Sequence, residues 1–341
     1  MILAALAALL ASGAAQTHFT RALELRHAGN TLEALRELQL AVKADAGLAE
    51  AHREIGLILL ERRDFAEASA AFRRAVERNP EDFQTRYNLA LSLANAGRPD
   101  SGLQELEAIL KARPDWGLAW FGVGHVHARA GHMGDAEAAY RKALALDATL
   151  VRAHFELGKL LEEKGNRSGA IEALTAGVKL APDSTAARFR LATLLRQAGR
   201  REESQREFEA VRQLRDRRQR GEQAALAYQQ GMRYLESGDA AAAVRELRRA
   251  VANRPDFPES RAALAEAYER NGDIAAAIAE FRKALELAPS ARTANHVGVL
   301  LAKMGRMQEA VAAFRRALEI EPGHANAARN LDQALALQGR R

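Results

Sequence analysis

Apolar residues recur along this chain at three- and four-residue steps, in stretches of about fourteen residues, the spacing of one face of an α-helix. Between residues 153 and 164 the apolar positions are Phe155, Leu157, Gly158, Leu160 and Leu161. Gly165-Asn166 interrupts the pattern, which resumes at Ala170, Ile171, Leu174, Val178 and Leu180 and stops at Pro182. This predicts a helix, a tight turn and a second helix.

The same unit repeats. Gly97, Gly131, Gly165 and Gly199 stand 34 residues apart, and the same step backward reaches Arg63 and Gly29. Forward, Gly238 follows after 39 residues, Gly272 after 34 and Gly305 after 33. Six of the eight prolines (Pro80, Pro114, Pro182, Pro255, Pro289 and Pro322) lie 17 residues after such a turn position. Glycine takes the left-handed backbone of an inter-helix turn cheaply, and proline cannot continue a helix. These marks number nine repeats.

Fixed positions within each repeat carry the packing. Seven residues before the turn stand Ala22, Gly56, Ala90, Gly124, Gly158, Ala192, Gly231, Ala265 and Gly298. Five after it stand Ala34, Ala68, Gly102, Ala136, Ala170, Ser204, Ala243, Ala277 and Ala310. Nine after it the residue is always large: Leu38, Phe72, Leu106, Tyr140, Leu174, Phe208, Leu247, Phe281 or Phe314. Small residues let two antiparallel helices approach, and the large one fills the groove beside them.

This pattern resembles the tetratricopeptide repeat family over nine units, from about Gln16 to His324, with a last polar helix over 325–337 as a cap. Repeats 1 and 7 depart from it, with Arg21 and Gln230 where the others carry Leu, Ile or Val, and Trp occupies the family's favoured first-helix site only at Trp120. The resemblance implies an all-α, right-handed superhelical solenoid of helix-turn-helix repeats whose first helices line a concave groove. The 39-residue spacing and the missing proline of repeat 6 divide it into a block of six repeats, 16–220, and a block of three repeats plus cap, 221–341. The second helix of repeat 6 is expected to stop at Gly221, and the joint to lie between Arg212 and Glu222.

Composition narrows the function. The chain of 341 residues is 48% hydrophobic and 28% charged, which excludes a disordered chain. It has no cysteine, so disulfides, thiolate metal sites and a cysteine nucleophile are excluded. The net charge is +6, but five Arg against one Asp between Arg212 and Arg220 supply +4 of it. A phosphate-tracking protein spreads its basic stripe over a face, so a solvated helix surface is the expectation, with polyanion binding through this run as the alternative. Residues 2–11 are apolar and Ser12, Gly13, Ala14 and Ala15 are small, as in a secretory signal peptide cleaved before Gln16. The alternatives are a packed N-terminal helix or an uncleaved anchor, because no Lys or Arg precedes the apolar run. Periplasmic or secreted localisation follows from the first reading, cytoplasmic from the second, and membrane contact only from the third.

Candidate chemistry is sparse. No segment is left over for a catalytic domain, and no enzyme, cofactor, metal or small-molecule substrate is expected. His125, His127, His132 and His154 form the only histidine cluster; His125 and His127 are two apart and face different sides of a helix. His127 stands where every other repeat has Leu or Tyr, so a half-buried, hydrogen-bonded structural histidine is expected.

The tenth residue before the turn is aromatic in six repeats: Phe19, Tyr87, Phe121, Phe155, Phe189 and Tyr228, against Arg53, Ala262 and Asn295. With 18 aromatics spread over 34 offsets this is a stripe, one residue round from the core line. It either packs neighbouring first helices or forms one wall of the groove. Some members of the family clamp a terminal carboxylate with Asn and Lys or Arg from adjacent repeats. Here Asn88 is followed by Leu118 and Gly122, so that clamp is absent. The expected function is a non-catalytic scaffold holding a peptide segment of another protein, at Phe19, Arg53, Tyr87, Asn88, Phe121, Phe155, Lys159, Phe189, Arg190 and Tyr228. A substrate-recruiting subunit of a separate enzyme is the alternative.

Overall fold

The computed structural model describes residues 2–338, with side chains from residue 13 onward; the Arg340-Arg341 end and the side chains of the apolar 2–11 run lie outside the described residues. Among the described residues there are 18 helices and no strand. Repeats 1 to 5 are the pairs α1 (Ile2–His27) and α2 (Thr31–Ala44), α3 (Ala49–Glu61) and α4 (Phe65–Arg78), α5 (Phe83–Asn95) and α6 (Pro99–Ala112), α7 (Gly117–Arg129) and α8 (Met133–Leu146), α9 (Val151–Glu163) and α10 (Arg167–Leu180). Repeat 6 opens with α11 (Thr185–Gln197) and continues into α12 (Arg201–Ser237). Then follow α13 (Ala240–Asn253), α14 (Pro258–Arg270) and α15 (Ile274–Leu287), α16 (Ala291–Lys303) and α17 (Met307–Ile320), and α18 (Ala325–Gln338). No helix among the described residues is long and apolar enough to cross a membrane.

Each turn closes in the same way. The eight turn glycines have φ between 74° and 88°, and Arg63 takes φ 64° in their place. In repeat 4 the His132 N–H donates to His127 O at 2.9 Å and the Gly131 N–H to Ala128 O at 3.2 Å, which satisfies the last carbonyls of α7.

The small and large positions meet as their spacing requires. A Cβ on Gly124 would lie 2.5 Å from the Tyr140 ring, and one on Gly298 would lie 2.4 Å from Phe314. All nine small residues of the first helices are buried, and so are eight of the nine large ones; Phe208 is half-buried. The identity of the small residue decides how deep an aromatic sinks. Opposite glycine, Phe72 and Phe314 are 0% and 2% exposed; opposite Ala265, Phe281 is 7% exposed, and opposite Ala192, Phe208 is only half-buried.

A second recurrent device ties six of the nine repeats to the one before. The residue eleven before the turn bonds back to the carbonyl that ends the previous repeat. His52, Arg86, Trp120, His154, Arg188 and Arg261 reach Ala46, Pro80, Pro114, Ala148, Pro182 and Pro255 at 2.6–3.1 Å. Where that residue is Arg, its guanidinium also pairs with a glutamate of the second helix: Arg86 with Glu105 at 2.9 Å, Arg188 with Glu207 at 2.5 Å and Arg261 with Glu280 at 2.8 Å.

The chain divides into two compact units, Met1–Val211 and Arg212–Arg341. The boundary falls inside α12, which joins the second helix of repeat 6 to the first helix of repeat 7. The expected stop at Gly221 does not occur. A lone helical glycine costs about 1 kcal/mol relative to alanine, and with no proline or left-handed turn beside it nothing ends the helix there.

Candidate binding site

The −10 aromatics do not form a uniform wall. Tyr87 and Phe121 are buried, at 5% and 2% exposure. The Tyr87 ring lies against Gly122 of the next repeat and edge-on to Trp116 at 6.0 Å. Phe121 packs 5.7 Å from Tyr140, with the Arg152 guanidinium over its ring at 5.5 Å. Both residues therefore belong to the core of their unit and present no face to a partner, against the expectation that they line the groove. Phe19, Phe155 and Tyr228 are half-buried. Phe155 sinks onto Gly177 of α10. The matching position in repeat 6 is Val211, and there Phe189 stays 47% exposed, edge-on to Phe208 at 5.6 Å.

The expected polar contacts are largely spent inside the stack. Arg190 of α11 pairs with Glu162 of α9 at 2.8 Å. Arg53 lies 3.5 Å from Glu54 and 3.8 Å from Asp82. Asn88 is half-buried and Lys159 exposed. Lys159 borders a pocket of about 310 Å³ between α7, α8 and α9, shared with His125, Arg129, Tyr140 and Glu156. Burial pushes the His125 imidazole below its usual range, opposed by Glu156. It also raises the phenols of Tyr87 and Tyr140, whose hydroxyls are buried with no hydrogen-bond partner. The Arg run lies along α12, where Arg217, Arg218 and Arg220 are exposed and Arg218 pairs with Glu222 at 2.9 Å.

The second unit holds a cleft of about 1090 Å³ along the first helices of repeats 7 to 9. Of the expected site residues it contains Tyr228 alone. Ala262 and Asn295, from the two repeats of this unit that lack an aromatic at this offset, line it beside Tyr228. The cleft opens where the stripe is broken. Its floor includes Met232 and Phe281, and its polar border is mixed. His296 lies 2.6 Å from Glu269 and edge-on to Phe281 at 5.2 Å, Arg270 pairs with Glu266, and Asn330 donates to Asn295 at 2.9 Å. Glu259 and Arg292, at the same offset in successive repeats, are exposed and make no ion pair among the described residues. The aromatics of the stripe lie mostly away from this cleft; its sequence signal is the pair of positions in the second unit, Ala262 and Asn295, where an aromatic is missing.

One histidine expectation fails. His127 is half-buried as foreseen, but its Nδ1 is buried with no hydrogen-bond partner.

Helix pairs stacked through small-and-large packing, with their polar surface on the first helices, define a helical repeat protein of the kind that serves as an interaction scaffold. The tetratricopeptide repeat profile matches residues 19–83, 53–115, 87–150, 155–227 and 228–292, and a second profile of the same description matches 291–324. The chain belongs to the tetratricopeptide repeat family. Among solved structures it is similar to PilW, a widely conserved type IV pilus biogenesis factor, at 18% identity over 57% of this chain and 90% of that one, with a TM-score of 0.50. It is similar to MamA from Desulfovibrio magneticus RS-1 at 22% identity, over 50% of this chain and 96% of that one, with a TM-score of 0.44. YrrB, a TPR protein with an unusual peptide-binding site, is 22% identical over 50% of this chain and 88% of its own, with a TM-score of 0.40. These likenesses speak to the fold alone.

Proposed function

We propose that this scaffold holds an extended segment of a partner protein in the cleft of repeats 7 to 9, without reaction, and that it works in an exported setting. The observation that carries the reading is the opening of the cleft at Ala262 and Asn295, where the other repeats fill the same offset with an aromatic or Arg53. An apolar floor of Met232, Phe281 and the Tyr228 ring suits a side chain of the bound segment. A rim of Glu259 and Arg292 offers one free charge of each sign, so orientation rather than net charge is what it selects. Peptides selected from a random library for binding to the full chain test this. Replacing Tyr228 and Arg292 together by Ala is expected to weaken such peptides by more than about tenfold, or 1.4 kcal/mol. Unchanged affinity with the helical signal intact counts against the cleft.

Export rests on the apolar run and the small residues before Gln16. In the structure α1 passes through the Ala15–Gln16 bond, so cleavage there shortens the helix and leaves Phe19 to Leu25 as the first turns of repeat 1. The N-terminal residue of protein isolated from its native cell decides the matter: Gln16 supports export, and Met1 in a cytoplasmic fraction contradicts it.

A further inference from the structure

Three positions converge at the inter-helix turn of repeat 4: four before the turn residue, one after it and four after it. In six repeats the first of these is Leu and in two it is Tyr; in repeat 4 it is His127. In repeats 6 and 9 the other two form a close ion pair across the start of the second helix, Arg200 with Glu203 and Arg306 with Glu309, each at 2.7 Å. In repeat 4 they are His132 and Asp135, and among the described residues neither side chain makes a hydrogen bond or an ion pair.

The two histidine rings lie 5.8 Å apart, tilted by 45°. One donor atom from each of His127, His132 and Asp135 lies within 4.8 Å of the other two. The Nδ1 of His127 is buried without a hydrogen-bond partner, a polar atom that the fold does not satisfy. A hydrophobic position has been given to a ring whose polar atom the protein leaves unused, and two exposed metal-ligating side chains stand beside it.

We propose that the turn of repeat 4 binds a zinc-class divalent cation through His127, His132 and Asp135, with water completing the tetrahedron. Two imidazoles and one carboxylate are a zinc donor set, and a tetrahedral ion with bonds of about 2.0–2.2 Å sets its donors about 3.3 Å apart. His132 and Asp135 are exposed, so rotation of their side chains closes the remaining distance. The positive end of the α8 dipole opposes a cation, and the Asp135 carboxylate in its first turn offsets that. The ion clamps the end of α7 to the start of α8, whereas the Arg–Glu pairs of repeats 6 and 9 brace only the start of the second helix. The site is separate from the cleft, in the other unit, and does not depend on what the cleft binds.

Titration of the full metal-free chain with Zn²⁺ by calorimetry, and with Co²⁺ by visible absorption, tests this. The chain is expected to bind one ion per molecule, to give the intense visible bands of tetrahedral Co²⁺, and to melt at a higher temperature with Zn²⁺ present. His127→Leu installs the residue that six repeats carry and His132→Arg restores the pairing of repeats 6 and 9, so both variants retain the fold. Each is expected to lose the Co²⁺ bands and to weaken Zn²⁺ by at least about tenfold, while His154→Gln binds as the parent does. Absence of stoichiometric binding by the parent chain overturns the proposal. So does binding that survives both substitutions, which places the ion on other histidines.

Discussion

The depth of each large aromatic side chain follows a single methyl group on the facing helix. Gly124 receives Tyr140 at a distance that a Cβ does not permit. Alanine ordinarily strengthens a helix by about 1 kcal/mol over glycine. Here Gly124→Ala is expected to destabilise the chain by about 1–3 kcal/mol, because the ring is forced out. Repeats 1 and 3 show the compensated form, Ala22 with Leu38 and Ala90 with Leu106, all buried. Adding Tyr140→Leu to Gly124→Ala should therefore recover most of the loss, and the Tyr140 hydroxyl gives up no hydrogen bond in the exchange. Urea midpoints of the two single variants and the pair check this; additive losses contradict it. Arg63 is the complementary case, a side chain held at φ 64° where eight turns have glycine. A Cβ in that region costs about 1–2 kcal/mol, and glycine returns about 0.5–1 of it through the unfolded chain. Arg63→Gly is expected to raise stability by about 0.5–1 kcal/mol in the same melts. Both features were legible in the sequence, because the turn and the small positions are local and repeat nine times.

At the scale of the element, helix boundaries followed from proline, glycine and apolar spacing, with one exception. Gly221 marks an expected stop, yet α12 runs through it to Ser237. Glycine ends a helix only where the chain takes a left-handed turn, and sequence does not distinguish that glycine from one tolerated mid-helix. The eleven-before strap was also missed, because it uses His, Arg or Trp interchangeably and has no single residue type to repeat. What those three share is an N–H that reaches a carbonyl six residues back. Arg86 makes both bonds of the strap while 19% exposed, beside Glu105 at 25%. Arg86→Ala is expected to cost about 1–3 kcal/mol and to leave hydrogen exchange most altered around α5 and α6. Arg218→Ala removes an ion pair whose partners are 82% and 66% exposed, and should cost less than about 0.5 kcal/mol. Equal losses in the two variants contradict the strap.

At the scale of the molecule, two units meet within one continuous helix, at Val211 and Arg212. We propose that the basic stretch that follows, Arg212 to Glu222, is the joint, and limited proteolysis is expected to nick it first; resistance there with cuts elsewhere contradicts that. The binding site was less legible than the fold. An aromatic stripe has the same sequence pattern whether it faces a core or a groove: Tyr87 packs against Gly122 and is buried, Phe155 packs against Gly177 and is half-buried, and Phe189 stays exposed. The cleft comes from the opposite signal, small and polar residues where the stripe lapses. Ala262→Phe restores at repeat 8 the aromatic that six repeats carry, and tests the central claim most directly. Affinity for a selected peptide should fall by more than about tenfold, with the melting temperature and the helical signal held. A peptide that binds the Ala262→Phe chain as tightly as the parent contradicts the account.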